Sequence, residues 1–245
     1  MFILSEDYWS IKDTPHKGRG VFAKKIIEPG TVIGDYLGIL IPADDEDMHG
    51  PTYAMYYNEE AIIVPDDPSS IGAHIVNHSC MPNCDTYPYK GHTLLFALRK
   101  IFPEEELTFH YLIDPPADPS KPALMYPCRC GSLICHGTMN TNPEIQKKTT
   151  EFVQRVDSID HTKELPVPFG QELPELSEYP TTISDDPVYD IFGSSVVPPL
   201  ESDDQTIPDI TSLRNIIRRE GKIIRYNKIG ITVLGMMEGL IIANK

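Results

Sequence analysis

Hydrophobic positions in the first 112 residues recur with a period of two, in runs too short for helices. Leu94, Phe96 and Leu98 fall on one side of an extended chain, and so do Leu107, Phe109 and Tyr111 after the acidic turn Glu104-Glu105-Glu106. Glu28-Pro29-Gly30 is a turn signal before Thr31 to Ile41, a run rich in β-branched and aromatic residues. Tyr53 to Asn58 and Ala61 to Val64 read as a hairpin around Asn58-Glu59-Glu60. The pattern predicts a mainly β body with little helix.

Beyond residue 113 the pattern changes several times. Asp114-Pro115-Pro116-Ala117-Asp118-Pro119 is a stiff spacer, and residues 114–140 end in a cysteine cluster. From Glu144 to Val156 the residues Ile145, Thr149, Phe152 and Val156 share a face at helical spacing, which predicts a helix within 141–160. Residues 161–210 hold eight prolines and predict a largely extended linker, with apolar patches such as Val188-Tyr189-Asp190-Ile191-Phe192 able to dock locally. In 211–245, Ser212 is placed to cap a short basic turn over Leu213 to Arg219. The apolar run Ile229 to Ala243, broken by glycines, is too short for a bilayer-spanning helix.

Charge sharpens these divisions. Residues 1–160 carry 23 acidic and 13 basic side chains, residues 161–210 carry 11 and 1, and residues 211–245 carry 2 and 7. A net charge of -15 argues against general or sequence-specific nucleic-acid binding, which needs clustered Lys and Arg, and favours a basic partner. The start of the chain has no basic region followed by a long apolar run, so no signal peptide is expected. Five cysteines, three of them clustered at metal-like spacing, fit a reducing intracellular compartment better than a disulfide framework.

Cys128-Arg129-Cys130 with Cys135 supplies three of the four thiolates that a closed structural zinc site needs. The fourth must come from Cys80 or Cys84, at least 44 residues earlier, in the segment Asn77-His78-Ser79-Cys80-Met81-Pro82-Asn83-Cys84. These stretches fall in a longer order: Gly18-Arg19-Gly20-Val21-Phe22-Ala23, Asp35-Tyr36-Leu37-Gly38, the Asn-His-Ser-Cys segment, Glu106-Leu107-Thr108-Phe109-His110-Tyr111, then Cys128-x-Cys130-Gly131 with Cys135 and Gly137. In order and spacing they resemble the SET-domain protein-lysine N-methyltransferases with a post-SET zinc module, over roughly residues 10–140.

The resemblance implies a SET domain at 1–113, made of small curved β-sheets with a pseudoknot-like threaded C-terminal segment, followed by a post-SET zinc loop and a partly extended C-terminal region. It implies S-adenosylmethionine as methyl donor, held by the backbone of Lys17, Gly18, Arg19 and Gly20 and by Asn77 and His78. Tyr111 would be the catalytic hydroxyl, with Tyr53, Tyr56 and Phe109 lining a channel for the substrate lysine. Cys80 would complete a structural zinc site with Cys128, Cys130 and Cys135, leaving Cys84 a buried thiol. A lysine-containing protein or peptide such as a histone tail is the implied substrate, and location in the nucleus or on chromatin would follow in a eukaryote. The chain departs from the family's usual residues at four places: His74 for arginine, His110 for aspartate, Glu104 for glycine and Ile39 for an acid. A catalytically silent zinc-binding interaction module is the alternative reading of the same residues.

Overall fold

A computed structural model describes residues 1–44, 53–58, 60–114, 126–131, 135, 137–141, 147 and 167–183, and the backbone of four short strands between 200 and 243. The body is mainly β. Its strands are β1 (Trp9–Thr14), β2 (Gly18–Ala23), β3 (Val32–Asp35), β4 (Ile39–Pro42), β5 (Met55–Tyr56), β6 (Ala61–Val64), β7 (Asn77–His78), β8 (Cys84–Tyr89), β9 (His92–Ala97) and β10 (Glu106–Phe109). A 3-10 turn, Ala73–Ile75, precedes β7. Three small sheets result, ordered β1-β2-β10-β7, β3-β9-β8 and β4-β6-β5.

The run Thr31 to Ile41 divides into two strands of different sheets rather than forming one. The break falls at Tyr36-Leu37-Gly38, where a Cβ on Gly38 would collide with the Val64 carbonyl, so only glycine lets the chain turn this close to β6. The expected hairpin forms, with Met55 opposite Ile63 and Tyr56 opposite Ile62. On β9 the alternation of Leu94, Phe96 and Leu98 has a partner set that the simple pattern conceals. Leu94, Phe96 and Leu98 enter one hydrophobic cluster with Val32 and Ile183, whereas Leu95 and Ala97 enter another with Trp9, Val21, Ile33 and Leu107. Both faces of β9 are buried because it lies between β3 and β8 and separates two cores.

Strand β10 is the topological centre. It pairs antiparallel with β2, Leu107 facing Val21, and then parallel with β7, Thr108 facing Asn77 and Phe109 facing His78. The chain after β10 thus emerges between two segments that were laid down much earlier. This is a threaded arrangement, which most folds avoid.

The acidic, proline-rich stretch expected to be an extended linker is extended over 167–183, but there it lies against the body. Gly170 and Leu173 donate N–H bonds to the carbonyls of Leu40 and Gly38 (both 2.8 Å), and Leu40 donates to Gln171 (3.1 Å). Further on, Val32 donates to the Thr181 carbonyl (3.0 Å) and Ile183 to that of Gly30 (2.9 Å). One strap therefore caps the outer edges of β4 and β3. Leu173, 1% exposed, anchors it in the Tyr36–Leu40–Ile63 cluster, and Ile183 anchors it in the Val32 cluster. Between these anchors the Tyr179 hydroxyl donates to the buried Asp35 carboxylate (2.8 Å), which also receives His92 (2.7 Å).

Near the C-terminus β11 (Leu200–Glu201), β12 (Ile224–Tyr226), β13 (Ile231–Met236) and β14 (Gly239–Ala243) form a fourth sheet in that order. The apolar run Ile229 to Ala243 accordingly contains a hairpin, with Val233 opposite Ile242. Of the expected helix Glu144 to Val156 only Lys147 is described, in helical conformation, and the basic turn at Leu213 to Arg219 lies outside the described residues. No helix among the described residues is long and apolar enough to cross a membrane.

Two outcomes test this packing. Leu173→Ala should cost about 2–4 kcal/mol in denaturant unfolding, the scale for emptying a buried leucine site; a loss under about 0.5 kcal/mol would mean that the strap is not part of the cooperative fold. Burial pushes the carboxyl of Asp85 up to about 7 against the pull of the Thr86 N–H. A carboxyl raised in the folded state contributes stability below its ordinary pKa near 4, and this is lost as pH rises through 7. Asp85→Asn, which keeps the acceptor oxygen, should leave stability at pH 4 unchanged and add on the order of a few kcal/mol at pH 8, read from unfolding midpoints at the two pH values.

Candidate active site and cysteine cluster

Lys17 to Gly20 form the turn into β2 and its first residues, opened by Gly18 at φ +74, a left-handed conformation that glycine adopts without strain. Gly20 sits where a Cβ would come within 2.7 Å of Glu106 Oε1 and 3.0 Å of Asn77 Nδ2. That crowding reflects a polar knot. The Asn77 amide donates to the Arg19 carbonyl and to Glu106 Oε1, both at 2.9 Å, while the other Glu106 oxygen pairs with Lys17. The turn, β7 and β10 are thereby joined through Asn77 and Glu106. Glu106 was legible only as the first letter of its motif, and its carboxylate connects all three segments.

Asn83 supplies a second set of ties. Its Oδ1 accepts the Thr108 N–H (2.9 Å), its Nδ2 donates to the Glu106 carbonyl (2.8 Å), and its own N–H reaches the Thr108 carbonyl (3.2 Å). The loop after β7 is therefore hydrogen-bonded along the whole of β10.

At the end of β10, Phe109 is buried and Tyr111 stands 4.9 Å away, ring centre to ring centre. The Tyr111 hydroxyl donates to the Val76 carbonyl (3.0 Å), and burial, followed by the nearby Tyr53, raises its pKa, so it stays a neutral phenol. Tyr53 lies at the surface end of this group, its carbonyl accepting the Tyr36 hydroxyl, and its electrostatic influence reaches both Tyr36 and Tyr111. Tyr56 stands 57% exposed on β5. Phe109, Tyr111 and Tyr53 are thus grouped, with Tyr56 on the outer surface of the β4-β6-β5 sheet.

His78 links this group to the cysteines. Its Nδ1 accepts the Tyr111 N–H (3.2 Å), so in the neutral ring the proton sits on Nε2, which points at Cys80 Sγ (3.6 Å). His110, in the place of the usual aspartate, accepts the Leu112 N–H on Nδ1 (3.0 Å) and packs edge-on against His78 at 4.6 Å. An imidazole here does the turn-stabilising work of a carboxylate, for a residue at φ +54.

The ligand atoms of Cys80, Cys128, Cys130 and Cys135 lie within 4.8 Å of one another. Cys80 and Cys128 are 3.7 Å apart, close to the about 3.8 Å edge of a tetrahedron with 2.3 Å Zn–S bonds. Burial, reinforced by neighbouring thiols, pushes the Cys128 thiol up to about 12. Four thiol sulfurs at this separation match the donor set of a structural zinc site. Cys84 is fully buried on β8 with its sulfur against Asn83 Oδ1 (3.4 Å), outside the cluster, and burial raises its pKa.

Comparison with known proteins finds a SET domain in this chain. The SET domain family model matches residues 18–112. The histone-lysine N-methyltransferase trithorax of Drosophila virilis is 32% identical over 147 residues, 55% of this chain and 4% of that protein. The histone H3-lysine(4) N-trimethyltransferase ATX1 of Arabidopsis thaliana is 30% identical over 185 residues, 66% of this chain and 17% of that protein. A solved structure described as KRYPTONITE in complex with mCHG DNA and SAH superposes with a TM-score of 0.43 at 26% identity, covering 54% of this chain and 28% of that one. The chain therefore spans a small part of the relatives it matches. Residues 18–112 match the SET domain family.

Zinc content discriminates between the two candidate fourth ligands. Purified wild-type protein and Cys84→Ser should each carry about one zinc per chain by elemental analysis, and Cys80→Ser should lose most of it to a competing chelator. Equal retention by both variants would overturn the assignment.

Proposed function

We propose that the protein is an S-adenosylmethionine-dependent protein-lysine N-methyltransferase acting on a basic peptide such as a histone tail. The observation that supports this most is the delivery by β10 of Phe109 and then Tyr111 beside Asn77 and His78, which are themselves tied to the Lys17–Gly20 turn. The nearness of Phe109 and Tyr111 to Asn77 and His78 supports this reading, while Tyr56 lies apart from them. The names of the relatives, histone-lysine N-methyltransferases, support the same class of substrate.

S-adenosylmethionine, when bound, supplies a methyl group on a positively charged sulfur. Lys17 to Gly20, Asn77 and His78 would hold it, and this chain's residues then have two tasks. The first is to make the substrate amine nucleophilic. A lysine with pKa about 10.4 needs roughly 4.6 kcal/mol to lose its proton at pH 7, and burial in an apolar channel lowers lysine pKa values by about 3–5 units. Phe109, Tyr111 and Tyr53 supply that burial. The second task is alignment. Because the Tyr111 O–H donates to the Val76 carbonyl, its oxygen lone pairs remain free to receive the amine or the polarised methyl. Phenylalanine at position 109, where a tyrosine would add a hydroxyl to the channel, favours addition of two or three methyl groups. Action on histones would place the protein on chromatin.

Incubation of zinc-replete protein with radiolabelled S-adenosylmethionine and core histones should transfer label to lysine. Tyr111→Phe should cut the rate by about 100-fold or more while leaving the melting temperature within about 2 °C. Phe109→Tyr should shift products toward monomethyllysine in mass spectra. Undiminished transfer by Tyr111→Phe would overturn the role given to that hydroxyl, and binding of the cofactor without transfer to any protein would favour a silent interaction module.

A further inference from the structure

The strap over 167–183 carries a three-residue repeat, Gln171-Glu172-Leu173, Pro174-Glu175-Leu176 and Ser177-Glu178-Tyr179. Its third members are buried or half-buried, and its glutamates are all exposed. Three is the period of an extended polyproline-type chain, so neither strand nor helix spacing reveals this inner face. The strap runs antiparallel to the body. The Leu173 N–H reaches the Gly38 carbonyl (2.8 Å), the Tyr179 hydroxyl receives the Leu176 N–H (3.1 Å) and donates to the Asp35 carboxylate (2.8 Å), and Val32 donates to the Thr181 carbonyl (3.0 Å). The two central anchors therefore fall on Asp35 and Gly38, the residues that bracket Tyr36-Leu37 between β3 and β4.

Through Tyr36 this turn meets the site. Tyr36 is buried in the same cluster as Leu173, its N–H is held by the Thr93 carbonyl (2.9 Å), and its hydroxyl donates to the Tyr53 carbonyl. Tyr53 depends on such a tie. It sits at φ +70, a left-handed conformation that is costly for a bulky aromatic residue and persists only where the surroundings fix it. Its ring meets His74 edge-on at 5.3 Å, and its electrostatic influence reaches Tyr111. We propose that Tyr179 is a positioning residue for the lysine channel, acting through Asp35 and Tyr36 to hold Tyr53 at the channel's surface end. The effect on activity rests on the methyltransferase reading above; the path of contacts does not. A lysine side chain that passes Tyr53 meets it before and during transfer alike, so a loosened Tyr53 weakens peptide binding and spares the chemical step. Residues beyond the cysteine cluster thereby set how tightly the substrate is taken.

The test uses zinc-replete full-length protein carrying 3-fluorotyrosine in place of Tyr53, read by fluorine NMR beside methyl-transfer kinetics on a histone-tail peptide. Tyr179→Phe removes only the hydroxyl. It should shift the fluorine resonance, raise the peptide KM about fivefold and leave kcat and the affinity for S-adenosylhomocysteine within about twofold of wild type. Leu173→Ala frees the other anchor and should act in the same direction, whereas Glu178→Gln, on the exposed face, should change neither readout. In a Tyr36→Phe background the path is already cut, so adding Tyr179→Phe should have no further effect. A resonance unmoved by Tyr179→Phe, or additive effects in the double variant, would overturn the proposal. A fall in kcat that tracks a lowered melting temperature, with KM unchanged, would do the same by marking a merely structural anchor. Absence of transfer by the wild type, with the resonance still shifted by Tyr179→Phe, would overturn the methyltransferase reading and support the path from Tyr179 to Tyr53.

Discussion

Strand β10 is held from two sides by segments that approach in opposite directions, and the site exists only while both hold it. β2 grips Glu106 and Leu107, then β7 grips Thr108 and Phe109, with the handover made between adjacent residues. A strand of four residues has too few ladder bonds to hold this position alone. Asn83 makes up the deficit with hydrogen bonds from its side chain and its own N–H to main-chain groups of Glu106 and Thr108, and Glu106 adds its carboxylate to the same junction. A slip of one residue along either partner would exchange the buried Leu107 and Phe109 positions for that of Thr108, so hydrophobic burial and the polar ties enforce one register.

From that junction a continuous path leads to the cysteine cluster. His78 has two ring nitrogens with separate tasks: one receives the backbone of Tyr111, and the other faces the sulfur of Cys80. If Cys80 held a zinc ion as a thiolate, the negative sulfur would strengthen the Nε2–H contact and favour the tautomer that accepts from the Tyr111 N–H. A metal ion held by Cys80 would therefore be connected through one side chain to the backbone of Tyr111. Cys80 and Cys128 are 48 positions apart, so a metal ion shared by them would be a long-range clasp, closing a loop whose ends would otherwise be costly to keep together.

Much of this was legible in the sequence because it depends on spacing. The period-two runs marked β9 and β10, and the cysteine spacing called for a fourth thiolate. What spacing cannot express is which face of a strand meets which core: Leu94 and Leu95 are both buried, in different clusters, because β9 is interior. Residues that act by exception were also hidden. Glu104 adopts φ +70 where glycine would be unstrained, its carboxylate paired with Lys12 at 2.5 Å, and His110 bonds the Leu112 N–H as an aspartate would. The docking of residues 167–183 was obscured by composition, since prolines and acids dominate a segment whose attachment depends on its backbone, on Leu173 and on Ile183.

That strap alters where the folded unit stops along the chain. The motifs end with the cysteines, yet β4 finds its outer hydrogen-bond partners only at residues 170–173 and the start of β3 at residues 181–183, the rest of the β3 edge being covered by Met1 to Leu4. A fragment cut just after the cysteine cluster would retain every motif and would leave the edge of β4 and the first residues of β3 open to pairing with other copies of itself. The solubility of this domain is thus guarded by a stretch whose composition looks least like a folded one.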